Sequence, residues 1–161
     1  MPINAPRALL GGITAGATRI AGQGLLDSAL LTAFHGSAGA RLDPSFARAL
    51  TSSTGTVGIM TIQLLLGIAT VFLYAAMRPR FGGGSRTAIG AGLATWAAAA
   101  ALWSVTVMLH LVPWMAYLTR VAVALPISLV AALAGARLYR ELDATGARFR
   151  KNTSAVRTTV V

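Results

Sequence analysis

The chain has 161 residues, of which 55% are hydrophobic and only 11% are charged, and its formal net charge is +10 at pH 7. A soluble domain of this length carries about a quarter charged residues, because its surface must face water. The composition therefore excludes an ordinary soluble globular protein. The chain has no cysteine, which excludes disulfide frameworks, thiolate metal sites and cysteine nucleophiles.

Four apolar segments follow one another along the chain, at about 8–34, 55–77, 88–110 and 114–139. Each is near the roughly 20 residues that a helix needs to cross about 30 Å of hydrocarbon. The second and third segments contain no charged residue, and the fourth holds Arg120 and Arg137 near its ends. The sequence predicts an all-α polytopic membrane protein, with a bundle of four transmembrane helices formed by residues 1–143.

The first segment is the least apolar, because Arg19, Gln23 and Asp27 lie inside it. Their i, i+4, i+8 spacing places them on one stripe of a helix. Such a stripe is stable when it faces the bundle interior, a partner subunit or a water-filled space. It indicates a proton or ion relay, a polar docking seam, or internal pairing, in which Arg19 snorkels or bonds Gln23 while Asp27 pairs with Arg120. An amphipathic helix at the membrane interface is the alternative to a span here.

The basic residues predict the orientation, because Lys and Arg in short loops stay on the cytoplasmic side. With four spans, ten of the fourteen basic residues share one face: Arg7, Arg78, Arg80, Arg86, Arg137, Arg140, Arg148, Arg150, Lys151 and Arg157. We therefore expect both termini to be cytoplasmic. The basic, polar segment 144–161 is predicted to be a disordered tail without a nucleic-acid partner. Abundant alanine and thirteen arginines against one lysine favour a bacterial inner membrane.

Two histidines, His35 and His110, end the first and third apolar segments, and alternating spans bring both to the outer face. Two imidazoles at similar depth are able to ligate haem or a metal. A single histidine at a helix end is more often an interfacial polar residue, and neither histidine lies in a multi-ligand motif. We therefore expect no cofactor, with a bis-His haem protein as the weaker alternative.

Small residues and aromatic residues suggest how the helices pack. Small residues four apart let membrane helices approach closely, either within the chain or between copies: Gly12 and Gly16, Ala88 and Gly92, Ala131 and Gly135. Aromatic residues near the segment ends are expected in an interfacial belt: Tyr74, Trp114, Tyr117 and Tyr139.

The loop RPRFGGGSR, residues 78–86, joins the second and third segments. Glycines and arginines before a helix offer donors to a phosphate. The loop lacks the Lys-Ser/Thr ending of a P-loop and follows no strand, so a nucleotide site is not expected. The preferred interpretation is a tight cytoplasmic turn in which Arg78, Arg80 and Arg86 hold lipid headgroups.

Two sequences, YAAMRPRFG at 74–82 and GARLYRE at 135–141, resemble a family of small bacterial four-helix integral membrane proteins of unknown function. The likeness covers roughly residues 55–141, and the RPRFG turn is its most specific part. The middle of that turn often reads Gly-Pro-Gly in the family, and Gly83 departs from this pattern. The family's first helices commonly hold an Asn and a Glu, where this chain has a different polar stripe. The resemblance implies topology and a bacterial membrane, and implies no activity.

No catalytic motif is recognisable, because the chain has no HExxH, no Ser/His/Asp order and only four acidic residues. Paired broken helices and internal repeats, typical of secondary transporters, are also missing. The expected function is a non-catalytic accessory or structural subunit that packs in the lipid bilayer with itself or with a larger membrane complex. The alternative is a small oligomeric channel or proton conductor that uses Arg19, Gln23 and Asp27.

Overall fold

The computed structural model describes the backbone of residues 4–34 and 44–158, and the side chains of residues 4–26 and 44–140. These ranges contain five helices and no strand, which confirms the all-α prediction: α1 (Ala5–Phe34), α2 (Pro44–Thr51), α3 (Ser53–Phe81), α4 (Ser85–Met108) and α5 (Trp114–Thr158). Three stretches of the described chain are long and apolar enough to cross a membrane, namely Ser53–Phe81, Ser85–Met108 and Trp114–Arg140.

Helix α1 packs against both α3 and α5, and α4 packs against the same two helices. The glycines of α1 face α3 in reverse order: Gly12 lies against Ile68, and Gly16 lies against Leu64. Because the residue numbers rise on one helix as they fall on the other, α1 and α3 are antiparallel. The predicted Gly12–Gly16 seam therefore packs within the chain.

The remaining helix pairs follow the same alternation. Gly11 of α1 lies against Gly135 of α5, and Gly22 lies against Ile127. Between α4 and α5, the Trp96 indole N–H donates to the Val121 carbonyl at 2.9 Å. The starts of α1 and α4 thus share one end of the molecule with the end of α3, and we call it the arginine end, after Arg7, Arg78, Arg80, Arg86, Arg137 and Arg140. Helix α2 and the start of α3 lie at the opposite end.

The core near the arginine end corrects the predicted aromatic belt. Tyr74 and Tyr139 are buried inside the helix packing, with their rings edge to face and their centroids 6.1 Å apart. They share one buried cluster with several alanines, including Ala75 and Ala136. Because these helices present small side chains here, the two rings fill the space between them. The rings therefore do not lie on the outer surface of the bundle. Trp114 remains exposed.

The sequence did not predict helix α2, which is only 8 residues long. It begins at Pro44, whose fixed φ suits the first position of a helix. The Ser52 hydroxyl then caps α3 by accepting the Gly55 N–H at 3.1 Å. A Cβ atom on Gly55 would overlap the Ala49 carbonyl, so the tight corner between α2 and α3 requires glycine.

The backbone of α5 continues as a helix to Thr158, and the disordered tail expected from the composition of residues 144–161 stays a prediction. The helical backbone agrees with intrinsic propensity, because Glu, Leu, Ala, Arg and Lys dominate residues 141–151 and favour helix. A segment without apolar periodicity has no apolar face to pack against other helices. Its intrinsic helix propensity does not depend on such a face.

Candidate functional site

A buried polar cluster connects α1 to both of the helices that flank it. Arg19 is only 6% exposed. Its Nε–H donates to Oε1 of Gln63 on α3 at 3.0 Å, and its Nη1–H donates to Oγ of Ser128 on α5 at 2.9 Å. A single side chain of α1 thus holds both neighbours at the same depth.

The hydroxyl of Ser128 is oriented as an acceptor for Arg19. Its proton is donated to the Ala124 carbonyl one turn earlier at 2.8 Å, so a lone pair faces the guanidinium. The Gln63 amide is oriented in the same way, because arginine offers donors alone and the oxygen must face it. The amide NH₂ of Gln63 is therefore left to donate elsewhere.

A cleft of about 370 Å³ lies between α1, α2 and α3, on the side of the cluster away from the arginine end. The side-chain amides of Gln23 and Gln63 line it, together with apolar residues such as Leu50 and Met60. Gln23 is itself buried. The cleft therefore opens beside α2, has a mostly apolar lining, and reaches Gln63, the first partner of Arg19.

Toward the arginine end, the cluster is closed by backbone contact. A Cβ atom on Gly67 would overlap the backbone of Gly16, and one on Gly11 would lie 2.8 Å from the Gly135 oxygen. Val71, completely buried, fills the next layer. A route that starts at the cleft therefore ends at the Gly16–Gly67 contact, just beyond Arg19, within one chain.

The structure corrects the partners predicted for Arg19. Instead of Gln23, it bonds Gln63 and Ser128, which the close approach of α3 and α5 places beside it. The side chain of Asp27 lies outside the described residues, so its predicted pairing with Arg120 stays a prediction. The Arg120 guanidinium lies 5.1 Å from the ring centroid of Trp103 on α4, a cation–π distance.

The two histidines are not brought into a described ligand set. His35 lies outside the described residues. His110 is exposed just after α4, with a left-handed φ of 56°. Within the residues that the structure describes, no group of three or more His, Asp or Glu side chains is placed to hold a metal ion.

The predicted turn is built on Gly82, whose φ of 83° and ψ of 163° favour glycine. From α5, the Arg140 Nη1–H donates to the Gly83 carbonyl at 3.0 Å. Arg78 stacks over the Tyr139 ring, 5.7 Å from its centroid. Arg80 and Arg86 are exposed, so the three predicted headgroup arginines differ in their surroundings.

Sequence reasoning missed the two residues that complete the polar cluster. Gln63 is the only amide in the segment 55–77, which has no charged residue, and this isolation was an available signal. Ser128 gave a weaker one, because serine in a membrane helix often bonds its own backbone.

No protein-family model, curated protein or solved structure matches the chain. The resemblance carried by the RPRFG turn stays a prediction.

Proposed function

We propose that this chain is a non-catalytic membrane protein with four spans and both termini in the cytoplasm. It acts in a bacterial inner membrane as an accessory or structural subunit, packing with itself or with a larger membrane complex. The observation that carries the proposal is the burial of Arg19 between Gln63 and Ser128. This contact supports a place for α1 in the membrane-embedded packing and a structural use of Arg19, the first residue of the polar stripe.

The length and the packing of α1 support a fourth span. Its 30 residues extend about 45 Å at 1.5 Å per residue, which exceeds the hydrocarbon thickness of about 30 Å. Helix α1 packs along α3 from Ile68 to Gln63, and its next turn lines the cleft between α1, α2 and α3. A charged residue is costly in a membrane unless it faces the interior and has partners, and Arg19 meets both conditions.

The polar cluster supports a structural role over catalysis. Ser128 holds its proton on a backbone carbonyl and receives a donor from Arg19, so it is stabilised as an acceptor and not as a nucleophile. The small-residue seams pack within the chain. A partner subunit would therefore dock on outward apolar residues such as Leu102 and Met115, which are more than 70% exposed.

The state of the protein in native lipid tests this proposal. The tagged full chain is extracted directly from membranes into nanodiscs, and its mass and composition are measured. We expect a defined oligomer or a stoichiometric partner. A monomer with no co-purifying protein contradicts the subunit role.

A channel is the second candidate, and the cleft that reaches Gln23 and Gln63 favours it. Because the path stops at the Gly16–Gly67 contact within one chain, conduction would require a pore between copies or an opening of this seam. Proteoliposomes that show no proton or ion flux, or flux unchanged by Gln63→Leu and Asp27→Asn, dispose of this candidate. A purified protein without a Soret band excludes the bis-His haem alternative.

A further inference from the structure

Arginines from three helices surround the turn between α3 and α4. Arg80 and Arg86 lie three residues before and after Gly83, and both are exposed. Arg140 arrives from α5 and donates one N–H to the Gly83 carbonyl. A guanidinium has five N–H donors, so this bond leaves donors of Arg140 for another acceptor. The turn is therefore a fixed platform that carries positive charge on several sides.

The first turn of α4 adds backbone donors at the same place. Gly84, the residue before the helix, makes no side-chain cap, and the first turn holds no acidic residue. The Thr87 hydroxyl is directed back to the Gly82 carbonyl at 2.8 Å. The first N–H groups of a helix lack intrahelical acceptors, and the helix dipole favours an anion beside them.

The charge balance of the arginine end favours an anionic ligand. Six arginines belong to it, and the two acidic residues nearest in sequence are Glu141 and Asp143. Even with both acids ionised and paired, positive charge remains in excess. Exposed Phe81, at 67%, lies next to Arg80 and presents an apolar surface beside the charge. A free phosphate has no apolar part that would contact this ring, whereas a phospholipid has both a phosphate and an acyl chain.

We propose that this turn binds the phosphate of an anionic phospholipid, with Arg80, Arg86 and Arg140 as the charged ligands and the start of α4 as the backbone ligand. Phe81 contacts the acyl region of the same lipid. The inference rests on the proposed function, because the arginine end must lie at a membrane surface for a lipid to reach it.

The test measures retained lipid by native mass spectrometry on the full chain, after reconstitution in nanodiscs of phosphatidylcholine with phosphatidylglycerol. The variant Arg80→Gln/Arg86→Gln is compared with wild type, and Arg48→Gln on α2 is the control, since Arg48 is an exposed arginine at the opposite end. We expect retention of phosphatidylglycerol to fall about tenfold or more in the double variant. The control is expected to retain it as wild type does.

Two results overturn the inference. One is equal retention of phosphatidylglycerol by the double variant and wild type. The other is displacement of the lipid by an equal concentration of inorganic phosphate, which assigns the turn to a free anion. Alkaline carbonate extraction is run on the same variants. A protein that is extracted contradicts membrane insertion, whereas a protein that stays inserted and shows no lipid preference contradicts the headgroup site alone.

Discussion

Gly16 and Gly67 bring the backbones of α1 and α3 into direct contact. A Cβ atom on Gly67 would overlap the N and Cα atoms of Gly16, so no other residue fits without moving a helix. This contact lies next to the Arg19–Gln63 hydrogen bond. Helix α1, which carries the charged Arg19, is thus joined to α3 by close packing and by a buried polar bond together.

The first prediction concerns this contact. Gly67→Ala should lower the free energy of unfolding by about 1–3 kcal/mol, because the added methyl group must push α1 away from α3. Thermal unfolding in mild detergent, followed by tryptophan fluorescence, measures the change. Gly58→Ala is the matched control on the same helix, since nothing lies within 4 Å of its Cβ position. Equal melting temperatures for the two variants would show that the helices do not meet at Gly67.

The second prediction concerns the bond between Arg19 and Ser128. Ser128→Ala should cost about 0.5–2 kcal/mol, within the range of hydrogen bonds between membrane helices. In an Arg19→Met background, the same substitution should cost much less, because the donor is gone. Ser104→Ala should have almost no effect, since that hydroxyl bonds a carbonyl of its own helix. Strict additivity of Arg19→Met and Ser128→Ala speaks against the contact.

The third prediction concerns the turn. Gly82→Ala should destabilise by about 1–3 kcal/mol, because its φ of 83° with ψ of 163° lies in a region that is essentially restricted to glycine. Gly82→Asn should not rescue the fold, since asparagine tolerates left-handed helical angles and not these. Gly84→Ala, at a φ of −109°, should be nearly neutral. A fully stable Gly82→Ala variant would exclude this turn geometry.

The apolar segments could be predicted because span length and hydropathy are local properties of the sequence. The second, third and fourth segments are confirmed as helices that are long and apolar enough to cross a membrane. The glycine spacing of α1 also indicated close packing. It could not distinguish packing on Ile68 from packing on a second copy, because the spacing describes one surface and not its partner.

The partners of the polar stripe could not be predicted, for a physical reason. Which residue meets Arg19 depends on the rotation and vertical register of α3 and α5. Moving along a helix by one residue changes the direction of the side chain by about 100°. The sequence therefore could not distinguish Gln63 and Ser128 from other residues at a similar depth. Tyr74 shows the same limit, because a position near a helix end does not determine whether the ring faces lipid or the core.

The central claim is that α1 crosses the membrane as a fourth span, and single-cysteine labelling tests it most directly. The native chain has no cysteine, so Asn4→Cys, Ser53→Cys and Ser85→Cys each give one reactive site against no background. In intact cells, an impermeant maleimide should label Ser53→Cys alone, and the other two variants should react only after permeabilisation. Labelling of Asn4→Cys together with Ser53→Cys, with Ser85→Cys protected, would place α1 on the outer surface and contradict the account.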